Sequence, residues 1–234
     1  MLNKSLIEIL EEREKYSFSD PFDHYVIDDL FDPEILNQVG NTKDLLENAN
    51  QFGALGEYNS PSEKKLAIDQ VKGQGRGKVA SSILDYLNSQ DFVEFLENLT
   101  GIDNLETDPL YVGGGIHIIP RGGKLNVHID FSRAHYDKSK YRRLNVLLYL
   151  NKDWQDSWNG ALELWDDKPS DGGNLIKSIY PHFNRLIIFG TSKKSWHGHP
   201  TPLDCPEDVY RTSLATYYYS SEPGEDLEEH STIF

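Results

Sequence analysis

Cysteine occurs once among the 234 residues, at Cys205. A lone thiol rules out an internal disulfide and a thiolate metal cluster, and such poverty in cysteine fits a reducing compartment. Long apolar runs are lacking too, since no stretch approaches the roughly 20 apolar residues of a membrane-spanning helix. The opening residues, Met1–Ser17, hold no uninterrupted apolar run and carry acids early, so they are not expected to act as a secretory signal. Positive charge is in deficit: 23 Lys and Arg face 38 Asp and Glu, a net charge of −15. A surface that negative repels nucleic-acid phosphates and anionic lipid, which sets nucleic-acid and membrane partners aside. The expectation is a soluble, cytoplasmic protein whose oligomeric state stays open.

What is abundant is aromatic and aliphatic material. Thirteen Tyr, ten Phe and four Trp in a chain 38% hydrophobic exclude a disordered polymer and suffice for one large core. The first hundred residues read mainly as helix. Leu2, Leu6, Ile9 and Leu10 form one stripe at three- and four-residue spacing. Asp32-Pro33 supplies a cap and a first-turn proline, and Gly101 ends a helix that starts near Asp91. A short strand is expected over Phe22–Ile27. From Leu110 the rhythm changes to period two, with eight candidate strands: 110–119, 124–131, 143–150, 161–165, 175–180, 185–189, 195–199 and 211–219. Eight short strands at this spacing suggest a closed sandwich or barrel, a jelly roll, with the helices packed on one face. The chain is therefore read as one α+β, mainly β domain over 1–234. It has a helical support region at 1–109, a strand core at 110–220 and an acidic, solvated tail at 221–234. The basic, glycine-rich stretch Lys72–Lys78 reads as a surface loop, because the strand and lysine-serine ending of a phosphate cradle are missing.

Written as faces, the strands concentrate polar residues on one side. In Asn126–Ser132, Val127, Ile129 and Phe131 alternate with Asn126, His128, Asp130 and Ser132. Leu144, Val146, Leu148 and Leu150 oppose Asn145 and Tyr149, and Arg211, Ser213, Ala215 and Tyr217 share a further face. Such faces can line the interior of a jelly roll. His128 and Asp130 project the same way, and with a distant His197 they make the two-histidine, one-carboxylate set that leaves iron positions open. Arg211, fourteen residues after His197, begins a strand as a fixed cation able to hold a carboxylate bidentately.

This ordered set resembles the iron(II)- and 2-oxoglutarate-dependent oxygenases, within them the prolyl 4-hydroxylase-like branch, over roughly residues 20 to 220. The family pattern of His-x-Asp, a distal His and then Arg or Lys reads here as His128-Ile-Asp130, His197 and Arg211-Thr-Ser213. Segments 143–154, 160–164 and 183–190 are similar to the family's central strands. The resemblance implies a double-stranded β-helix, iron(II) at His128, Asp130 and His197, and 2-oxoglutarate as cosubstrate with dioxygen, ascorbate serving as an accessory reductant. It implies Arg211 and Tyr149 on the distal carboxylate of 2-oxoglutarate, with Ser213 and Asn145 as further cosubstrate contacts. The reaction it implies is hydroxylation of an unactivated carbon, a prolyl residue in a protein or peptide first. A free amino acid or other small metabolite is the alternative substrate, and a non-catalytic, metal-stabilised jelly-roll binding module is the alternative of another class. Two departures stand out: His117 occupies a strand where the branch usually has a tyrosine, and the stretch from His197 to Arg211 is longer, as by a loop insertion.

Neighbouring residues have blander readings. His199 is expected beside the metal site or at the surface rather than on the metal, because glycine and proline break its strand. His135 and Tyr136 lie either in solvent or at the substrate mouth. Trp154, Trp158 and Trp165 read as packing, and Cys205 as inert.

Overall fold

The computed structural model describes residues 1–39, 41–68, 75–224 and 229–234. The chain begins with α1 (Leu6–Glu11), β1 (Ser17–Phe18), β2 (His24–Asp28), α2 (Pro33–Asn37) and α3 (Thr42–Gln51). A hairpin of β3 (Leu55–Asn59) and β4 (Glu63–Ile68) precedes α4 (Lys78–Leu87), α5 (Gln90–Thr100) and β5 (Glu106–Thr107). The strand core follows as β6 (Gly115–Ile119), β7 (Lys124–His128), β8 (Tyr141–Tyr149) and β9 (Leu162–Trp165). It ends with β10 (Leu175–Ile179), β11 (Arg185–Gly190), β12 (Trp196–His199) and β13 (Arg211–Ser220). Residues 72–74 of the expected Lys72–Lys78 loop lie outside the described residues.

Local chemistry explains the helix ends. Asp32 caps α2 by accepting from the Glu34 amide, and Ser89 caps α5 by accepting from Phe92. Gly101 closes α5 in the left-handed region at φ 72°. Ile83, Leu84 and Leu87 of α4 and Phe92, Phe95 and Leu96 of α5 are buried in one cluster with Ile116, Leu144, Val146, Leu148, Leu186 and Leu214. The helices thus cover the apolar face of the sheet, leaving the polar face for the interior.

Hydrogen bonding runs in the order β1-β2-β11-β8-β13-β6-β4-β7-β12-β9-β10. β4 joins the two halves, pairing Leu66 with Ile118 of β6 and Glu63 with Leu125 of β7. The sheet curls until its ends meet, with Lys177 of β10 lying 4.7 Å over the Phe18 ring of β1. This antiparallel, curled sheet is the jelly roll expected from the strand spacing.

Two local readings change. The first expected strand starts at Gly115 rather than Leu110, because Tyr111 and Gly113 have positive φ and the Asp108 carboxylate accepts from the Leu110 and Val112 amides, 2.7 Å each. The support region is not all helix, since it contains the β3–β4 hairpin. Its Glu63, Lys64 and Lys65 break any apolar alternation, and pairing with β6 and β7 holds the strand instead.

Candidate active site

β7 carries His128 at its end, Asp130 follows two residues on, and β12 brings His197 directly opposite His128. Gly198 makes that approach possible, because a Cβ there would lie 2.8 Å from the Leu125 carbonyl oxygen and 2.9 Å from that of Asn126. The donor atoms of His128, Asp130 and His197 all lie within 4.8 Å of one another. His128 Nδ1 is 2.9 Å from the Asn126 carbonyl and His197 Nδ1 is 2.8 Å from that of Ser195. A carbonyl only accepts, so each Nδ1 carries its proton and each Nε2 keeps a lone pair for a metal. The Nε2 atoms stand 3.4 Å from the two Asp130 oxygens, beyond the about 2.7–3.2 Å of an N–H···O bond. Two imidazoles and one carboxylate converging on a shared point without bonding one another fit a ferrous ion with positions left open.

Asp130 is held from behind. Its Oδ2 accepts from Asn145 Nδ2 at 2.6 Å and pairs with Arg142 Nη2 at 3.0 Å, while Arg142 Nε donates to Asn145 Oδ1 at 2.8 Å. The guanidinium is sandwiched between the Tyr217 ring, 3.5 Å away, and the Phe131 ring, 4.5 Å away. Burial works to raise the Asp130 carboxyl, but the Arg142 guanidinium beside it outweighs burial and holds the group well below the usual carboxylate range. Asp130 is therefore a permanent anion, as a metal ligand must be.

Arg211 opens β13 in the same cavity, 4% exposed. Its Nε donates to the Gly160 carbonyl at 2.7 Å and its Nη2 to the Tyr149 hydroxyl at 2.8 Å. Gly160 has φ 76°, and a Cβ there would sit 2.6 Å from Leu203 and 3.2 Å from the Arg211 side chain. No carboxylate pairs with Arg211 among the described residues. A buried guanidinium without an anion is costly, and a cavity of about 300 Å³ joins it to the triad. Ser213, 1% exposed, lines the same wall.

The structure brings His128, Asp130, His197, Arg211, Ser213 and Asn145 together around one cavity, with Tyr149 behind Arg211 and bonded to it rather than lining the cavity. Asn145, read as a cosubstrate contact, has its amide engaged by Asp130 and Arg142. His199 is 4% exposed, which removes the surface reading, and it stands outside the three-ligand group. Burial first, then Arg211, holds its imidazole well below the usual histidine range. Among the described residues its Nδ1 has no hydrogen-bond partner. His117 also lines the cavity, donating from Nε2 to the Gly113 carbonyl at 2.8 Å. His135 borders a separate cleft with Arg133 and Lys138, and Tyr136 donates to the Thr107 carbonyl. Trp154 and Trp158 pack edge to face, Trp165 borders the Val127–Ile129 cluster, and buried Cys205 donates to the Val209 carbonyl.

Arg142 escaped the sequence reading. Simple alternation groups it with Leu144 on the apolar face, but the ladder slips between Tyr218, opposite Leu144, and Tyr219, opposite Arg142. The slip turns Arg142 inward. Lys65 and the segment 229–234 also reach the cavity and were missed; neither lies near the motif in sequence.

Comparison with known proteins agrees with this geometry. Residues 114–219 match the 2OG-Fe(II) oxygenase superfamily. The chain is 26% identical, over 97% of its length, to the mouse protein named Prolyl 3-hydroxylase OGFOD1, and it spans 40% of that protein. A Pseudomonas putida prolyl-4-hydroxylase has the same fold at a TM-score of 0.56 and 14% identity, covering 92% of this chain and 98% of that one. A Trichoplax adhaerens prolyl hydroxylase in complex with a hypoxia inducible factor peptide fragment gives a TM-score of 0.54 at 17% identity, covering 92% and 89%. The strand core that holds His128, Asp130, His197 and Arg211 thus matches the model of the 2OG-Fe(II) oxygenase superfamily and shares its fold with these prolyl hydroxylases.

Proposed function

We propose that the protein is an iron(II)- and 2-oxoglutarate-dependent oxygenase that hydroxylates a prolyl residue within a polypeptide. The observation that carries this reading is one cavity holding both the converging His128–Asp130–His197 donor set and the buried Arg211 guanidinium, which has no carboxylate partner among the described residues. Bound iron, with 2-oxoglutarate and dioxygen, supplies the oxidation of an unactivated C–H bond, releasing succinate and carbon dioxide. The chain's own residues do the positioning. His128, Asp130 and His197 hold the metal. Arg142 and Asn145 fix the Asp130 carboxylate in orientation and charge. Arg211 and Tyr149 take the distal carboxylate of 2-oxoglutarate, which sets its register against the metal, and Ser213 completes that wall. Phe189, edge-on to His197 at 4.7 Å, with Leu147 and Leu162 keeps water from the interior side.

A prolyl substrate in a polypeptide is supported by the names of the relatives: the mouse protein is named for prolyl 3-hydroxylation, and the Trichoplax enzyme holds a peptide. A cytoplasmic setting is supported by the single, buried, unpaired Cys205. The test is succinate release with iron(II) and 2-oxoglutarate across prolyl peptides and free amino acids, with mass analysis of the products. The expected result is succinate that depends on a prolyl peptide, with one oxygen gained on proline. Turnover of a free metabolite alone would transfer the reading to small-molecule hydroxylation. A protein that holds metal but forms no succinate with any candidate would defeat the enzymatic reading.

A further inference from the structure

The backbone beyond β7 does not end at the metal. Ile129 exchanges both hydrogen bonds with Ile233, its amide reaching the Ile233 carbonyl at 2.9 Å and its carbonyl accepting from the Ile233 amide at 3.0 Å. Three residues on, the Ser132 amide donates to the His230 carbonyl at 3.1 Å and the His230 amide donates to Ser132 Oγ at 2.8 Å. Glu229–Phe234 therefore lies along the edge 129–132, held by one antiparallel bridge at Ile129–Ile233 and by the Ser132–His230 contacts, beside the metal ligand Asp130. Its Thr232 and Phe234 border the triad cavity, and the Phe234 ring stands 5.4 Å from the His128 ring.

Three features make this segment exchangeable. Backbone groups and one serine hydroxyl carry the pairing, so it recognises extended polypeptide rather than a particular sequence. Little apolar area secures it, since Ile233 remains 39% and Phe234 40% exposed. Segments with few buried contacts open at low free-energy cost. Finally, Phe234, the residue over the metal site, takes part in none of the backbone bonds. A residue without an N–H is thus tolerated where the side chain meets His128, but not at the position of Ile233, whose amide is used. Charge adds direction: Glu229 borders a cleft of about 410 Å³ with Arg133 and Lys138.

We propose that the edge Ile129–Ser132 is a docking site for an extended polypeptide substrate, which pairs as an antiparallel strand and places its proline where Phe234 now stands, and that Glu229–Phe234 is an intramolecular occupant that substrate must displace. This rests on the polypeptide-hydroxylase reading of the same site. It predicts that weakening the strap opens the edge.

The experiment compares the full chain with the Ile233→Pro/Phe234→Ala double variant, which loses one amide donor and the ring. A fluorescein-labelled peptide of the sequence Glu-His-Ser-Thr-Ile-Phe is titrated by anisotropy against the metal-loaded proteins. The double variant should bind it at least tenfold more tightly than the parent. Equal affinity for both, or binding to neither, overturns the proposal. In the second arm, Phe234→Ala should lower the KM for a prolyl peptide at least fivefold with kcat nearly unchanged. A merely structural strap would leave KM unchanged or raise it. Should no prolyl peptide be turned over by any form, the functional reading fails while the anisotropy arm still decides the strap. Thermal melting of both variants in parallel confirms that each is folded.

Discussion

Removing the Arg211 side chain separates cosubstrate binding from metal binding, and the structure sets the size of the effect. The guanidinium spends Nε–H on the Gly160 carbonyl and one Nη2 hydrogen on the Tyr149 hydroxyl. The remaining N–H groups form a fork for a carboxylate. Loss of one partner from a buried charge pair costs about 2–5 kcal/mol. At about 1.4 kcal/mol per tenfold, Arg211→Ala should raise the half-saturating 2-oxoglutarate concentration about 30-fold or more. Arg211→Lys keeps the charge without the fork and should fall between the two. Iron affinity should hardly change, since Arg211 is not in the donor set. The ligand-free protein adds a sign test. There the substitution removes an unpaired buried charge, a gain, and strands the Gly160 carbonyl and Tyr149 hydroxyl, a loss of about 1–3 kcal/mol each. The opposing effects leave the melting temperature near that of the parent. With 2-oxoglutarate at about 100 times its Kd the parent should gain about 2.7 kcal/mol, and the variant, bound about 30-fold more weakly or worse, should gain about 0.9 kcal/mol at most at that concentration. Succinate formation against 2-oxoglutarate, with melting curves in both states, reads all of this. An unchanged half-saturation or an undiminished ligand-induced shift in Arg211→Ala would refute the anchor, leaving Lys65, which lines the same cavity, as the cation to examine.

The remaining expectations concern the metal side and pH. His128→Ala, Asp130→Ala and His197→Ala should each lose most bound iron and all turnover while staying folded, whereas His199→Ala should retain iron; elemental analysis of purified proteins decides, and an active His197→Ala would sink the ligand assignment. Arg142→Leu breaks a buried pair with Asp130 and should cost about 3–5 kcal/mol in chemical denaturation, with weaker iron binding, and parental stability would show that Arg142 does not support the ligand. His117 is held down to about 3, first by burial, then by the nearby Lys65 charge, while its unfolded value is about 6.5. The unfolded chain therefore binds the extra proton, so metal-free stability should fall as pH drops from about 6.5 toward 3. His117→Gln should flatten part of that slope, and an identical slope would exclude His117 as its source.

Much of the fold could be read in advance because one signal dominated it. Period-two alternation from residue 110 marked all eight core strands, and the apolar sides of β6, β8, β11 and β13 join the cluster of α4 and α5, while Leu162, Leu164 and Ile179 of β9 and β10 pack with Tyr149 and Phe189. Leu144, Val146 and Leu148 illustrate this: they sit in the helix-facing cluster, while Asn145 lines the cavity and Tyr149 packs on the opposite side against Leu162, Leu164 and Phe189. The triad was legible for the same reason. His128 and Asp130 share a face by parity, and a strand long enough to carry His197 back across them needed only antiparallel pairing. The β3–β4 hairpin was hidden because its register comes from partners more than fifty residues away, as in Leu66 opposite Ile118. Charged residues such as Lys64 and Lys65 carry no local strand signal, and of their partners only β3 lies in the same window of sequence.

The harder cases are those where parity itself fails. Arg142 should point at the helices, yet the slip opposite Tyr218–Tyr219 swings it onto Asp130, and burial between two aromatic rings then makes the ion pair compulsory. A bulge adds one residue and no distinctive composition, so alternation counted from Leu144 assigns every residue before it to the wrong face. The segment 229–234 fails for a different reason. Its pairing uses backbone groups that every sequence possesses, and its acidic approach reads as a solvated run. What the two share is location: both converge on Asp130, one behind the carboxylate and one along the backbone that carries it. The residues that tune the metal ligand and those that sit where a polypeptide would lie are thus placed by deviations from the regular ladder, and the regular ladder places the ligands themselves.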